Sequence, residues 1–315
     1  MFACFFALSS NMYLMLVSFV DVYFRDKAGE LKERTIKNKR YMIEAHVLPY
    51  FENKQMNEIS PSDIIQWQNA IRAKGYSQTY LRMVQNQITA LFTHASNIYN
   101  LNNNPCKKVK KMGKSDADKL NFWTKDEYDC FISGIDRESK YYVIFEILFW
   151  TGCREGEMLA LTKEDVDFQN NQISITKTYY RTERRDIITT QKMEQSVRVI
   201  DIPQFLTKEI EMYVNRCYGL PDNERLFPIV AEAVQHKLKR ACAKSGVKPI
   251  RVHDLRHSHV AYLINQGVQP LIIKERLGHR DIKITLNTYG HLYPNQQKKV
   301  ADMLNAARNE NAPVD

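Results

Sequence analysis

The chain has 315 residues, enough for a sizeable core and for two domains rather than one. Its apolar fraction of 44% and charged fraction of 26% are those of a globular protein, which excludes a fibrous or disordered chain. Lys and Arg number 45 against 36 Asp and Glu, a formal net charge of +9, which favours a polyanionic partner. The six cysteines, Cys4, Cys106, Cys130, Cys153, Cys217 and Cys242, form no CxxC pair. That argues against a disulfide framework or a thiolate zinc site and fits a reducing cytoplasm.

Residues 1–12 form an atypical apolar start. No charge occurs before Asp21, which approaches the length of a membrane span. A basic n-region and a clear cleavage site are missing, and Ser9, Ser10 and Asn11 interrupt the run. We read it as a non-native or truncated start, with a membrane anchor as the alternative. Residues 13–106 read as a helical domain. A first helix covers about 13–27, and a second covers "ERTIKNKRYMIEAHVLPYF" with Ile36, Tyr41, Ile43, Val47 and Leu48 as candidate buried positions. A third is capped by Ser60 or Ser62, has Pro61 in its first turn, and stops at Gly75. A fourth carries Leu81, Val84, Ile88, Leu91 and Phe92 at helical spacing and ends at "NNNP".

Residues 107–119 read as a basic linker, with Lys107, Lys108, Lys110, Lys111 and Lys114 as candidate DNA-binding side chains. From residue 120 a second domain is predicted. Thr124 and Glu127 form a capping box, and "YYVIFEILFW" is apolar enough to require burial. "NQISITKTYY" and "QSVRVIDIP" alternate with period two and read as strands, joined by the long polar hairpin arm "RTERRDIITTQKME". The remainder is helical. The predicted class is mainly α with a small antiparallel sheet.

Three separated segments carry the chemistry: Arg154 in "TGCREGEMLAL", His253 and Arg256 in "HDLRHSH", and His279 and Tyr289 in "LGHRDIKITLNTYGH". A phosphodiester presents two non-bridging oxygens whose charge grows during displacement, and guanidinium groups match them with paired, permanently charged donors. His253 and His257 are four apart, which is also metal-ligand spacing. A metal there would leave Arg256 beside a cation, and no carboxylate or cysteine partner stands at ligand spacing, so we assign no metal. Arg154 and Glu157 alone could be an ordinary surface pair, and Tyr289 is one of 17 tyrosines.

Taken together, T-G-x-R-x-x-E, H-x-x-R, L-G-H and a tyrosine ten residues beyond that histidine resemble the pattern of the tyrosine recombinases, the phage and conjugative-transposon integrases. The resemblance runs from about residue 14 to the end. It implies a helical core-binding domain followed by a catalytic domain. It implies that Tyr289 attacks a phosphate to form a 3′-phosphotyrosyl link, that His253 assists proton transfer, and that neither ATP, metal nor another cofactor is needed. Arg154, Arg256 and His279 would hold the phosphate, with Glu157 as a supporting residue. "TTQKMEQSVRVIDIP" resembles the family's P-K-T-x-x-S-x-R-x-I-P strand and puts Lys192 in the role of general acid. It departs at Gln191 and Met193, and Lys177 is the competitor. His257 and His259 are assigned to local packing or a DNA-facing role, and His291 to a neighbour of the site.

The expected partners are double-stranded DNA recombination sites, three further copies of the chain in a tetramer working through a Holliday junction, and accessory DNA-bending or directionality proteins, with no membrane. The residues after Tyr289, "LYPNQQKKVADMLNAARNE", are expected to pack on a catalytic domain. The alternatives are a non-catalytic DNA-binding regulator or decayed integrase using a helix-turn-helix-like segment over 271–289, and a type IB topoisomerase.

Overall fold

The computed structural model describes residues 13–114, 120–190 and 197–290. The chain divides into two compact units, residues 1–119 and 120–315. Residues 1–12, where the atypical apolar start was read, lie outside the described residues.

The first unit is helical: α1 (Leu16–Asp26), α2 (Glu33–His46), the single turn α3 (Leu48–Phe51), α4 (Pro61–Arg72) and α5 (Gln78–Ile98). Their apolar stripes close on one core that includes Phe19, Ile43, Trp67, Val84, Ile88 and Phe92. Ser60 rather than Ser62 caps α4, its hydroxyl accepting from the Asp63 amide while the Asp63 carboxylate accepts from the Ser60 amide. Tyr41 departs from its expected burial and is 65% exposed. It stands two residues before the buried Ile43, about 200° away around the helix, and so faces out.

The basic stretch after α5 is anchored rather than loose. Pro105 and Cys106 are buried in a 3-10 turn, and Met112 is fully buried. Gln68 donates to the Lys110 carbonyl at 2.9 Å, Arg82 donates to the Gly113 carbonyl at 2.6 Å, and the Lys114 amide donates to the Gln78 carbonyl at 3.1 Å. Lys107, Lys108, Lys110, Lys111 and Lys114 are exposed. The backbone is therefore held through residue 114 while the lysine side chains reach into solvent.

The second unit opens on α6 (Lys125–Ser133), capped by the Thr124–Glu127 box, and α7 (Lys140–Thr151). Helix α7 is buried nearly all round, and the Phe149 ring stacks on Tyr128 at 3.7 Å. After α8 (Glu155–Ala160), strands β1 (Val166–Asp167), β2 (Gln172–Ile175) and β5 (Arg198–Asp201) form an antiparallel sheet in the order β1-β2-β5. Val166 and Ile200 both stand opposite Ile173, so these side chains share the buried face. The polar arm is a sheet of its own: β3 (Lys177–Thr182) and β4 (Arg185–Thr190) pair from Lys177↔Thr190 to Thr182↔Arg185. Helices α9 (Gln204–Arg216), α10 (Ala231–Ser245), α11 (Asp254–Asn265), α12 (Pro270–Leu277) and α13 (Ile282–Tyr289) complete the unit. Among the described residues no helix is long and apolar enough to cross a membrane.

Candidate active site

The turn between α7 and α8 begins the site. Gly152 ends α7 in the left-handed region, φ +64°, and a Cβ there would overlap the His259 ring. Its carbonyl accepts from Arg256 Nη1 at 2.6 Å, and the Leu277 carbonyl at the end of α12 accepts from Arg256 Nη2 at 2.7 Å. Arg256 is only 3% exposed. Each terminal nitrogen spends one N–H on a backbone oxygen, which locks the guanidinium plane and leaves its remaining donors for a ligand. Burial, then repulsion by Arg154, lowers its pKa to about 10, still a full positive charge at neutral pH.

Arg154 follows two residues after Gly152 as the N-cap of α8. Its Nη1 donates to Glu157 Oε1 at 2.7 Å, and its amide donates to Oε2 at 2.9 Å. Glu157 is 1% exposed and also receives Arg198 Nη2 at 2.7 Å. Burial raises its pKa, but the Arg198 hydrogen bond and the charges of Arg198 and Arg154 outweigh that and hold it at about 2. One carboxylate therefore braces two guanidiniums. The Arg154 side chain is 41% exposed, so its outer edge meets solvent. Arg198 Nε in turn donates to the Arg276 carbonyl at 2.8 Å. Gly278, at φ +64°, lets the α12 end pass close to Arg198, since a Cβ there would sit 3.1 Å from Nη1. A cavity of about 530 Å³ opens beside this lattice, lined by Arg198, Arg276, Gly278 and His279 among others.

His279 follows Gly278, and its Nδ1 lies 2.9 Å from the fully buried Thr285 hydroxyl. Burial, then the charges of Arg256 and Arg154, lowers its pKa to about 3, so it is neutral. A Thr285 hydroxyl donating to Nδ1 leaves the ring proton on Nε2, available as a donor. His253 is the N-cap of α11 and keeps solvent access. Partial burial of its ring, then the Arg256 charge, lowers its pKa. Its ring meets the His257 ring edge-on at 5.2 Å. Tyr289, at the end of α13, is 2% exposed among Val260, Ile264, Ile273 and Leu277. Its hydroxyl lies 2.6 Å from His257 Nδ1. Burial raises the phenol pKa to about 12 against the opposing pull of Arg256.

Arg154, Glu157, His253, Arg256, His279 and Tyr289 are thus linked through hydrogen bonds, ring contacts or charge within one region of the second unit. Lys192 and His291 lie outside the described residues. The competitor Lys177 is engaged elsewhere, with Nζ 2.8 Å from Asp165 Oδ2 and 3.0 Å from Thr162 Oγ1. The five lysines of residues 107–114 belong to the first unit. Among the described residues no group of three His, Cys, Asp or Glu side chains is arranged to hold a metal ion.

Sequence reasoning missed three residues. Arg198 was visible as the arginine of the S-x-R-x-I-P strand but received no role. Arg276 braces the site by donating to the Asp201 and Trp150 carbonyls, both at 2.9 Å, and nothing local distinguishes it. His257 was assigned to packing or to a DNA-facing position, whereas it holds the Tyr289 hydroxyl. His259 does pack: it is 2% exposed and accepts from Arg276 Nε at 3.1 Å. The segment 271–289 is indeed two helices about a turn, but the inner side chains of α13, Thr285 and Tyr289, are buried.

The phage integrase family model matches residues 121–296, and that of the phage integrase N-terminal SAM-like domain matches residues 15–72. The ICEBs1 integrase of Bacillus subtilis (strain 168) is 31% identical over 306 residues, spanning 90% of this chain and 81% of that protein. A putative prophage phiRv2 integrase of Mycobacterium tuberculosis (strain ATCC 25618 / H37Rv) is 24% identical, spanning 88% of this chain and 75% of its own. Among solved structures, the Tn1549 transposon integrase in complex with transposon right end DNA matches with a TM-score of 0.79 at 21% identity, over 93% of this chain and 100% of that one. At that identity the match speaks to the fold, which agrees with the mainly helical architecture and small antiparallel sheets of the described residues. With one family model over more than half its length and a relative above 30% identity over most of both proteins, the chain belongs to the phage integrase family of tyrosine recombinases.

Proposed function

We propose that this chain is the integrase of a mobile element, a site-specific recombinase that cuts and rejoins DNA through Tyr289. One observation carries the assignment of the site. A tyrosine from α13 lies within the field of Arg256, whose guanidinium is fixed by two backbone carbonyls and feels the charges of a lattice in which Arg154 and Arg198 share the Glu157 carboxylate. Such a lattice is preorganised for an anion whose charge grows during reaction. Arg154 and Arg256 hold the two non-bridging oxygens, and His279 Nε2 donates to one of them. Glu157 and Arg198 brace the arginines. Tyr289 attacks phosphorus, displaces the 5′-oxygen and keeps the bond energy in a 3′-phosphotyrosyl ester, so that no cofactor is consumed. Lys192 protonates the leaving oxygen, a role for which the ion pair of Lys177 with Asp165 makes the competitor less available.

The helical first unit, with its anchored row of exposed lysines, tracks the DNA backbone. Four copies act on two duplexes through a Holliday junction in the cytoplasm, with accessory DNA-bending or directionality proteins setting the outcome. The test is a covalent-adduct assay with nicked duplex from the sequences flanking the gene, in EDTA. The native chain is expected to give an SDS-resistant protein–DNA band, and Tyr289→Phe none. DNA binding without an adduct would leave a non-catalytic binder.

A further inference from the structure

We propose that His257 is the residue that orients Tyr289 and receives its phenolic proton as the oxygen attacks phosphorus, an assignment that rests on the recombinase reading above. The family resemblance of the sequence implies proton transfer by His253, but the geometry favours its neighbour one helical turn on. His257 Nδ1 stands 2.6 Å from Tyr289 Oη, and the two rings lie 5.6 Å apart at 55°. Tyr289 is 2% exposed, and among the described residues the hydroxyl's hydrogen bond is the one to His257. A buried hydroxyl without an acceptor is costly, so the phenol donates and Nδ1 accepts. The neutral ring then carries its own proton on Nε2.

The charged and titratable groups around the ring support this state. From the helix itself and the turn before it they are His253, Asp254, Arg251 and Arg256, from the turn before α13 there is His279, and from α13 there is Tyr289. Burial, then the His253 charge, lowers the His257 pKa to about 4, so the imidazole is unprotonated and open to a proton at neutral pH. With the phenol at about 12, the proton stays on oxygen in the resting protein. It moves only as the oxygen is esterified, when the phenol becomes far more acidic and the incoming phosphodiester adds negative charge beside the ring.

The step balances. Oη–P forms and P–O5′ breaks, the phenolic proton passes to His257 Nδ1, and the 5′-oxygen takes a proton from a separate acid, a lysine ammonium or water. On rejoining, the 5′-hydroxyl attacks as it gives its proton back to the conjugate base of that acid, P–Oη breaks, and His257 returns its proton to the departing phenolate. His253, not engaged by the tyrosine, is then free to face the phosphate. Arg256 explains why this pairing is rigid: its two backbone contacts fix the turn of α11 that carries His257.

The test measures adduct formation on the same nicked duplex from pH 6 to pH 10 for the native chain, His257→Gln and His257→Ala. Glutamine keeps an acceptor oxygen but cannot carry a proton. His257→Gln should slow the adduct about 100-fold or more near pH 7. That deficit should shrink toward pH 10 as the phenol ionises unaided, with DNA binding unchanged in a gel shift. Placing 2,3,5-trifluorotyrosine at position 289 makes the phenol more acidic and should recover His257→Gln more than the native chain. Native rates for His257→Gln, or a deficit constant with pH and untouched by the fluorinated tyrosine, would overturn the proposal. A second measurement avoids variants of His257: ¹⁵N imidazole spectra should show an unprotonated Nδ1 that accepts a hydrogen bond, and Tyr289→Phe should remove that bond. A protonated Nδ1 in the native chain would refute the assignment. Absence of any adduct from the native chain is a different failure, that of the recombinase reading itself.

Discussion

At the scale of single residues the site turns on Glu157. A carboxylate 1% exposed between Arg154 and Arg198 is stable only while both guanidiniums face it. Breaking a buried pair by removing one partner costs about 3–5 kcal/mol, because the other charge is left without compensation. Glu157→Gln should therefore lower the unfolding free energy read from a urea titration by about 3–5 kcal/mol and reduce adduct formation as Arg154 loses its brace. The same residue shapes the acid limb. Its pKa is about 2 in the folded chain, below the roughly 4.3 of an unfolded glutamate, so its contribution is complete above the unfolded value. That contribution should be lost as pH falls from about 4.3 toward 2, and the loss should be missing from the Glu157→Gln titration. The sequence made Arg154, Glu157, His253, Arg256, His279 and Tyr289 legible as candidates because each stands in a short spaced motif. It gave His257 only a packing or DNA-facing role because the hydroxyl it holds is 32 residues away.

At the scale of elements, two chain reversals place the site. Gly152 ends α7 with φ +64° and presents its carbonyl to Arg256, while Gly278 ends α12 at the same φ and lets Arg198 approach. A Cβ on Gly152 would overlap the His259 ring, and one on Gly278 would press on the Arg198 side chain at 3.1 Å. Gly152→Ala should cost at least about 1–3 kcal/mol through overpacking against His259. It should also depress adduct formation beyond its loss of stability, because Arg256 loses its seat; the two are separable by comparing thermal melts with cleavage rates at low temperature. The helices were readable from capping boxes and apolar spacing, as at Thr124–Glu127 and along α5. The β3–β4 pair was readable as a polar hairpin arm, but the position of its turn was not. Its two-residue turn, Glu183–Arg184, takes φ of +48° and +62° without the Asn-Gly signal that such turns usually carry.

At the scale of the whole molecule, a net charge of +9 predicts an electrostatic grip on DNA. Affinity for a junction duplex should fall linearly on a log–log plot against salt, by about 10³-fold or more between 50 and 200 mM if six or more phosphates are neutralised. A nearly flat dependence in a fluorescence titration would rule out a backbone-tracking basic surface. Neutralising Lys107, Lys108, Lys110, Lys111 and Lys114 together should lower that slope without unfolding the first unit, because their side chains are exposed while their backbone is held by Gln68, Arg82 and Gln78. By itself the sequence determined the class of fold, the order of its helices, the basic character and the short motifs, because periodicity, caps and spacing act between residues within a few positions of one another. Only the tertiary structure decided that the basic stretch is strapped down through Met112, that Arg198 and Arg276 join the lattice, and that Tyr289 rests on His257. Those contacts span tens to more than a hundred residues, and those of the second unit exist only once packing has brought distant helix ends together around one buried guanidinium.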